Sequence, residues 1–136
     1  MIKPDKVPEL HVSITPWLSI QGSKNAVEFY KSAFNAVETY RLETPDDGIV
    51  VKLSIQRAEF WLSIEAGQTG NSEYKPLGGN SIRMILTVQN PEGLFKQALK
   101  AGASEVFPVS EDHGWKLGRL EDPFGLHWEI GHPIES

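Results

Sequence analysis

The sequence contains no cysteine, which excludes disulfides, thiolate metal ligands and cysteine nucleophiles. It has no long apolar run either. The charge-free stretch Leu10–Ser23 carries Ser, Thr, Pro and Gln, so no transmembrane helix is expected. The opening residues, MIKPDKVPEL, hold two prolines and alternating charges and lack the apolar stretch of a secretory signal. Positive charge is in the minority. Thirteen Lys and Arg stand against eighteen Asp and Glu, and the net charge of −5 argues against a nucleic-acid or anionic-lipid surface. There is no G-x-S-x-G elbow, P-loop, H-E-x-x-H pair or dinucleotide fingerprint, and Gly78-Gly79 lacks phosphate-loop spacing. What remains is 136 residues, 40% hydrophobic and 23% charged, the size and composition of one globular domain. A cytoplasmic enzyme or binding protein is the expected class.

The chain reads as two halves. Residues 17–20 (WLSI) resemble 85–88 (ILTV), and AVEFYKSAF (26–34) resembles EGLFKQAL (92–99). In the first half, HVSITPWLSI alternates as a strand, with Ile14, Leu18 and Ile20 on one face and Ser13, Thr15, Trp17 and Ser19 on the other. A helix follows. Asn25 and Glu28 have capping-box spacing, and Ala26, Val27, Tyr30, Ala33 and Phe34 form one apolar stripe. Three strands are expected at 37–44, 49–55 and 59–65, with turns at Pro45–Gly48 and Gln56–Ala58. The Gly- and Asn-rich segment 67–80 reads as a linker. The second half repeats the order. A strand at 81–88 precedes a helix that Asn90-Pro91 starts and Gly102 ends, with Leu94, Phe95, Ala98 and Leu99 on its buried side. Strands follow around EVFPVS, WKLGRLE and LHWEIGH, the last two joined by a type I turn at Asp122-Pro123-Phe124-Gly125. The expected fold class is α+β, one domain of two βαβββ modules spanning about 11–66 and 81–133.

Two segments carry a family resemblance. ITPWLSIQGSKNAVEFYKSAFNA resembles the opening of PhnB-like proteins, and GWKLGRLEDPFGLHWEIGHP resembles the closing motif of the same group. These belong to the vicinal oxygen chelate superfamily of glyoxalases, bleomycin-resistance proteins and extradiol dioxygenases. Leu126 stands where close relatives often carry His, and His127 comes one place later. The resemblance implies two modules whose strands curl into a cupped mixed sheet, a ligand in the cup, and usually a homodimer. In metal-dependent members each module offers a His or Gln on its first strand and a Glu on its last. Carried over residue by residue, those places fall on Thr15, Trp61, Arg83 and Glu129. One usual ligand in four, with an arginine cation among them, predicts a chain without a bound metal or other cofactor.

Alternation sets the remaining candidates. Trp17 and Trp61 fall on the cup side as aromatic walls, and His127 shares that side with Glu129. Arg83 and Glu129 suit an ion pair or a ligand contact, with Glu129 as the candidate general base. Trp128 shares the other side with Ile130 and is expected in the core. The ligand-binding set is therefore Thr15, Trp17, Trp61, Arg83, His127 and Glu129. Three functions fit: a metal-free protein that holds a small molecule, a glyoxalase-type lyase, isomerase or dioxygenase with an atypical metal set, or a non-catalytic dimeric interaction module. The expected partner is a small molecule and a second copy of the chain, with no nucleic acid and no membrane.

Overall fold

In a computed structural model, residues 13–21, 25–45, 48–65 and 82–134 are described. The elements run β1 (Trp17–Gln21), α1 (Ala26–Phe34), β2 (Val37–Glu43), β3 (Ile49–Ile55), β4 (Ala58–Glu65), β5 (Arg83–Thr87), α2 (Pro91–Ala101), β6 (Ser104–Asp112), β7 (Trp115–Glu121) and β8 (His127–Pro133). This is βαβββ twice. The linker 67–80 and His11 lie outside the described residues.

Each module forms its own four-stranded mixed sheet, β1-β4-β3-β2 and β5-β8-β7-β6. In each, the first strand runs parallel to the last and the other pairs are antiparallel. The identical order is the structural form of the repeat seen in the sequence.

Three details differ from the sequence reading. First, β1 begins at Trp17, not near residue 12. Pro16 has no N–H to give a ladder, although its carbonyl still accepts from the Trp61 N–H at 2.8 Å. Ile14 is therefore 96% exposed rather than in the core, and Thr15 is an exposed residue ahead of the strand. Second, Asn25 caps α1 with its backbone in a helical conformation, so its side chain makes no capping bond. Third, β6 runs past EVFPVS through Glu111 and Asp112, and the hairpin turns on His113 and Gly114, both at positive φ. Elsewhere the signals hold. Asn90 Oδ1 accepts from the Gly93 N–H at 3.2 Å, and Pro91 opens α2. The Gly125 N–H closes its turn on the Asp122 carbonyl at 3.1 Å.

One core serves both modules. Leu18, Ile20, Val51, Leu53, Phe60, Leu62 and Ile64 line the buried side of the first sheet, and Leu86, Leu120, Trp128 and Ile130 that of the second. Phe60 and Trp128 meet across the module boundary, ring centroids 5.7 Å apart. Tyr30, Phe34 and Phe29 of α1 pack among them. Gln97 of α2 donates to the Ser32 carbonyl and to Asn35 Oδ1, at 2.9 and 3.0 Å, tying the two helices together.

A buried carboxylate sits at this junction. Asp122 is 3% exposed. Its Oδ2 accepts from the Tyr30 hydroxyl at 2.6 Å and from Trp128 Nε1 at 2.9 Å. Its Oδ1 accepts from the backbone N–H groups of Phe124 and Leu126, at 2.9 and 3.0 Å. The carboxylate thus has four donors and links α1 of one module to β8 of the other.

Two outcomes follow from that junction. Asp122→Ala leaves the Tyr30 hydroxyl and the Trp128 N–H buried without an acceptor, at about 1–3 kcal/mol each. The denaturant midpoint should drop accordingly. Burial first, then the charge and hydrogen bond of Asp122, hold the Tyr30 phenol well above its usual range. The unfolded chain releases this proton near pH 10, as an ordinary Tyr does, while the folded chain keeps it. Stability should therefore be full below about pH 10 and fall above it, by up to about 1.4 kcal/mol per pH unit from this group. Melting curves between pH 8 and 11 should show a shallower fall in Tyr30→Phe than in wild type.

Candidate ligand-binding faces

Because strand side chains alternate, each sheet has a second face opposite the shared core. Trp61 follows Phe60 and Glu129 follows Trp128, so both point away from the core contact between their neighbours. The faces they occupy are built differently.

On the first sheet, register lines up Trp17, Trp61, Lys52 and Tyr40 across β1, β4, β3 and β2. Trp17 and Trp61 stack at 5.6 Å with 23° between their planes. Tyr40 meets Trp61 edge-on at 5.7 Å. Lys52 Nζ lies 5.2 Å from the Trp61 ring centre and 3.3 Å from Glu59 Oε1. Trp17 Nε1 donates to Ser63 Oγ at 3.1 Å, which fixes the ring's tilt. Trp17 and Tyr40 remain about half exposed. This face is an aromatic wall open to solvent.

On the second sheet the equivalent row is Ile85, Glu129, Arg119 and Phe107. Glu129 holds the place in this row that Trp61 holds in the other. Its Oε2 receives Arg119 Nη2 at 2.7 Å, Arg119 Nε at 3.1 Å and Arg83 Nε at 3.2 Å. Arg119 also lies over the Phe107 ring at 5.5 Å. The Glu129 side chain is 12% exposed, while that of Arg83 is 49% exposed. One row nearer the strand start, Arg83 pairs in register with His127 and His127 with Glu121. His127 Nε2 is 3.8 Å from Glu121 Oε1, and its buried Nδ1 has no hydrogen-bond partner among the described residues.

The structure therefore brings Trp17 and Trp61 together, and Arg83, His127 and Glu129 together, but on separate sheets. Among the described residues no hydrogen bond, ion pair or ring contact joins the two groups. Thr15 joins neither. Lys52, Tyr40, Arg119 and Phe107 are the residues that sequence reading missed. Arg119 sits two places from Leu117 and Glu121 in an alternating strand, so its face was legible. Its partner was not, because cross-strand register is a tertiary property.

The four places implied for a metal do not fit one. Thr15 precedes its strand, and Trp61 is an indole in a stack. Arg83 is a cation, and the Glu129 oxygen nearest it is saturated by two guanidinium groups. Among the described residues no three His, Asp or Glu side chains gather closely enough to hold an ion.

The stacked indoles make a direct optical prediction. Two coupled rings at this distance give a paired near- and far-ultraviolet circular dichroism signal. Trp17→Ala and Trp61→Ala should each abolish the contribution of this pair, while Trp17→Ala leaves the edge-on Tyr40–Trp61 contact in place. Survival of the pair's contribution after either change would contradict the stacking.

No protein-family model matches the chain. An uncharacterised protein of Mycobacterium bovis is 34% identical over 130 residues, covering 91% of this chain and 85% of its own. Among solved structures, a glyoxylase/bleomycin resistance protein/dioxygenase domain from Frankia sp. superposes with a TM-score of 0.72 at 14% identity, covering 92% of this chain and 99% of that one. A PhnB protein from Bacillus cereus, described as a putative 3-demethylubiquinone-9 3-methyltransferase, superposes at 0.63 and 17% identity, covering 89% and 99%. By its 34% identity over most of both chains, the chain belongs to the family of the mycobacterial protein, and its two βαβββ modules share the fold of the glyoxylase/bleomycin resistance protein/dioxygenase structure.

Proposed function

We propose that this protein binds a small organic molecule, with Trp17 and Trp61 as the apolar wall and Arg83 and Glu129 as the polar anchors, and that it does so without a metal ion. The observation that carries the reading is the solvent-open stack of Trp17 on Trp61. Exposed indoles on a strand face are costly unless something apolar covers them. An apolar surface beside a few convergent polar groups is the usual make-up of a small-molecule site. The mismatch at the four implied metal places favours binding over metal-dependent lyase or dioxygenase chemistry. Among the described residues no helix is long and apolar enough to cross a membrane.

The working unit in this reading is a homodimer. The aromatic face and the charged face lie on opposite sides of their sheets from the single core of one chain. A second copy related by a two-fold axis would set the aromatic face of each chain over the charged face of the other, forming two cups at once. Val37, Tyr40 and Leu42 of β2, and Ile85 and Phe107 of the second sheet, are exposed apolar residues that such an arrangement would cover. Light scattering at micromolar concentration should give about twice the chain mass; a monomer mass would refute this part.

Binding itself is tested by a ligand screen using tryptophan fluorescence and calorimetry on wild type, Arg83→Ala and Trp61→Ala. Each variant should lose roughly 1–3 kcal/mol of affinity for a true ligand, the scale of a lost buried contact. A hit whose affinity is equal in all three proteins would put the site elsewhere.

A further inference from the structure

We infer that the ligand carries an anionic oxygen group, carboxylate or phosphate, with a hydrogen-bond donor next to it; this rests on the small-molecule reading above. The argument is a count of donors and acceptors around Glu129. Two guanidinium groups share one carboxylate, and all three described contacts fall on the same oxygen, Oε2. One of the two positive charges is therefore not offset at this spot. Of the nearby charged groups, Glu121 lies one strand further and is turned to His127.

Arg119 is committed. Two of its nitrogens engage Glu129, and its plane lies over Phe107. Arg83 is not. It contacts Glu129 through Nε alone, is half exposed, and has no other partner among the described residues. Its outer N–H groups form the free fork that receives a carboxylate or phosphate with two parallel bonds. Glu129 Oε1 likewise has no described partner and can only accept. A ligand hydroxyl or amine beside the anionic group would satisfy it. The arginine pair thus supplies a positive pole of fixed N–H donors to an anionic ligand oxygen.

The test uses four probes with one apolar body: 3-phenylpropionate, 3-phenyllactate, benzyl phosphate and 3-phenylpropionamide. Calorimetry on wild type should show the anions binding about tenfold or more tighter than the neutral amide, the scale of one charge-assisted contact. Phenyllactate should exceed phenylpropionate, because its hydroxyl reaches Glu129. Comparison of the carboxylates with benzyl phosphate tells which anion the fork prefers. Arg83→Gln should close the gap between anions and amide, and Arg83→Lys should restore only part of it. Since Arg83 is half exposed, both variants should keep the wild-type circular dichroism. If the amide binds wild type as tightly as the anions and Trp61→Ala weakens it, the anionic inference falls and the small-molecule reading stands. If none of the four binds at millimolar concentration, both fall.

Discussion

The structure depends on one buried carboxylate. Asp122 gathers the Tyr30 hydroxyl, the Trp128 indole N–H and two backbone N–H groups from its own turn. A carboxyl group this deep is tolerable only when its oxygens are hydrogen-bonded, and here four donors reach them. The same four bonds shape the Pro123–Gly125 turn, orient β8 and dock α1 onto the opposite module. Without this junction the two βαβββ repeats would be linked by apolar packing, which sets proximity but not angle, and by the exposed Gln97 bonds between the helices.

That junction decides which surfaces are left over. Trp128, Phe60, Phe34 and Tyr30 use one face of each sheet to build a common core. The opposite faces then carry whatever the alternate residues supply. In the first sheet these residues are mostly aromatic, in the second mostly charged. The two faces hold equivalent rows, with Trp61 standing where Glu129 stands and Lys52 where Arg119 stands. A duplicated scaffold has diverged in side-chain chemistry while keeping its register. A cation beside an aromatic ring recurs in both rows, Lys52 over Trp61 and Arg119 over Phe107. Such a cation covers apolar ring surface while pairing with a carboxylate, Glu59 for Lys52 and Glu129 for Arg119.

Glu129 shows how neighbours set a residue's chemistry. Alone on a strand it reads as a metal ligand or a general base. Between Arg83 and Arg119 it is an anchor for two cations, and its role becomes orientation. The carboxylate keeps the two guanidinium groups from repelling each other and aims the freer one outward.

Much of this was legible in the residues themselves. Hydrophobic periodicity, the Asn90-Pro91 start, the Gly102 stop and the Asp-Pro-Phe-Gly turn determine both helices and nearly all strands, because these signals act within a few residues of chain. The burial of Trp128 and the facing of Trp17, Trp61 and Glu129 also follow from local alternation. The start of β1 was overextended because parity does not register that Pro16 lacks an N–H. The tertiary structure alone decided the rest: that Asp122 meets Tyr30, 92 residues away, that Arg119 joins Arg83 on Glu129, and that the aromatic and charged faces belong to different sheets. Those facts depend on strand register and module docking, which arise from contacts between distant segments and leave no periodic mark in either one.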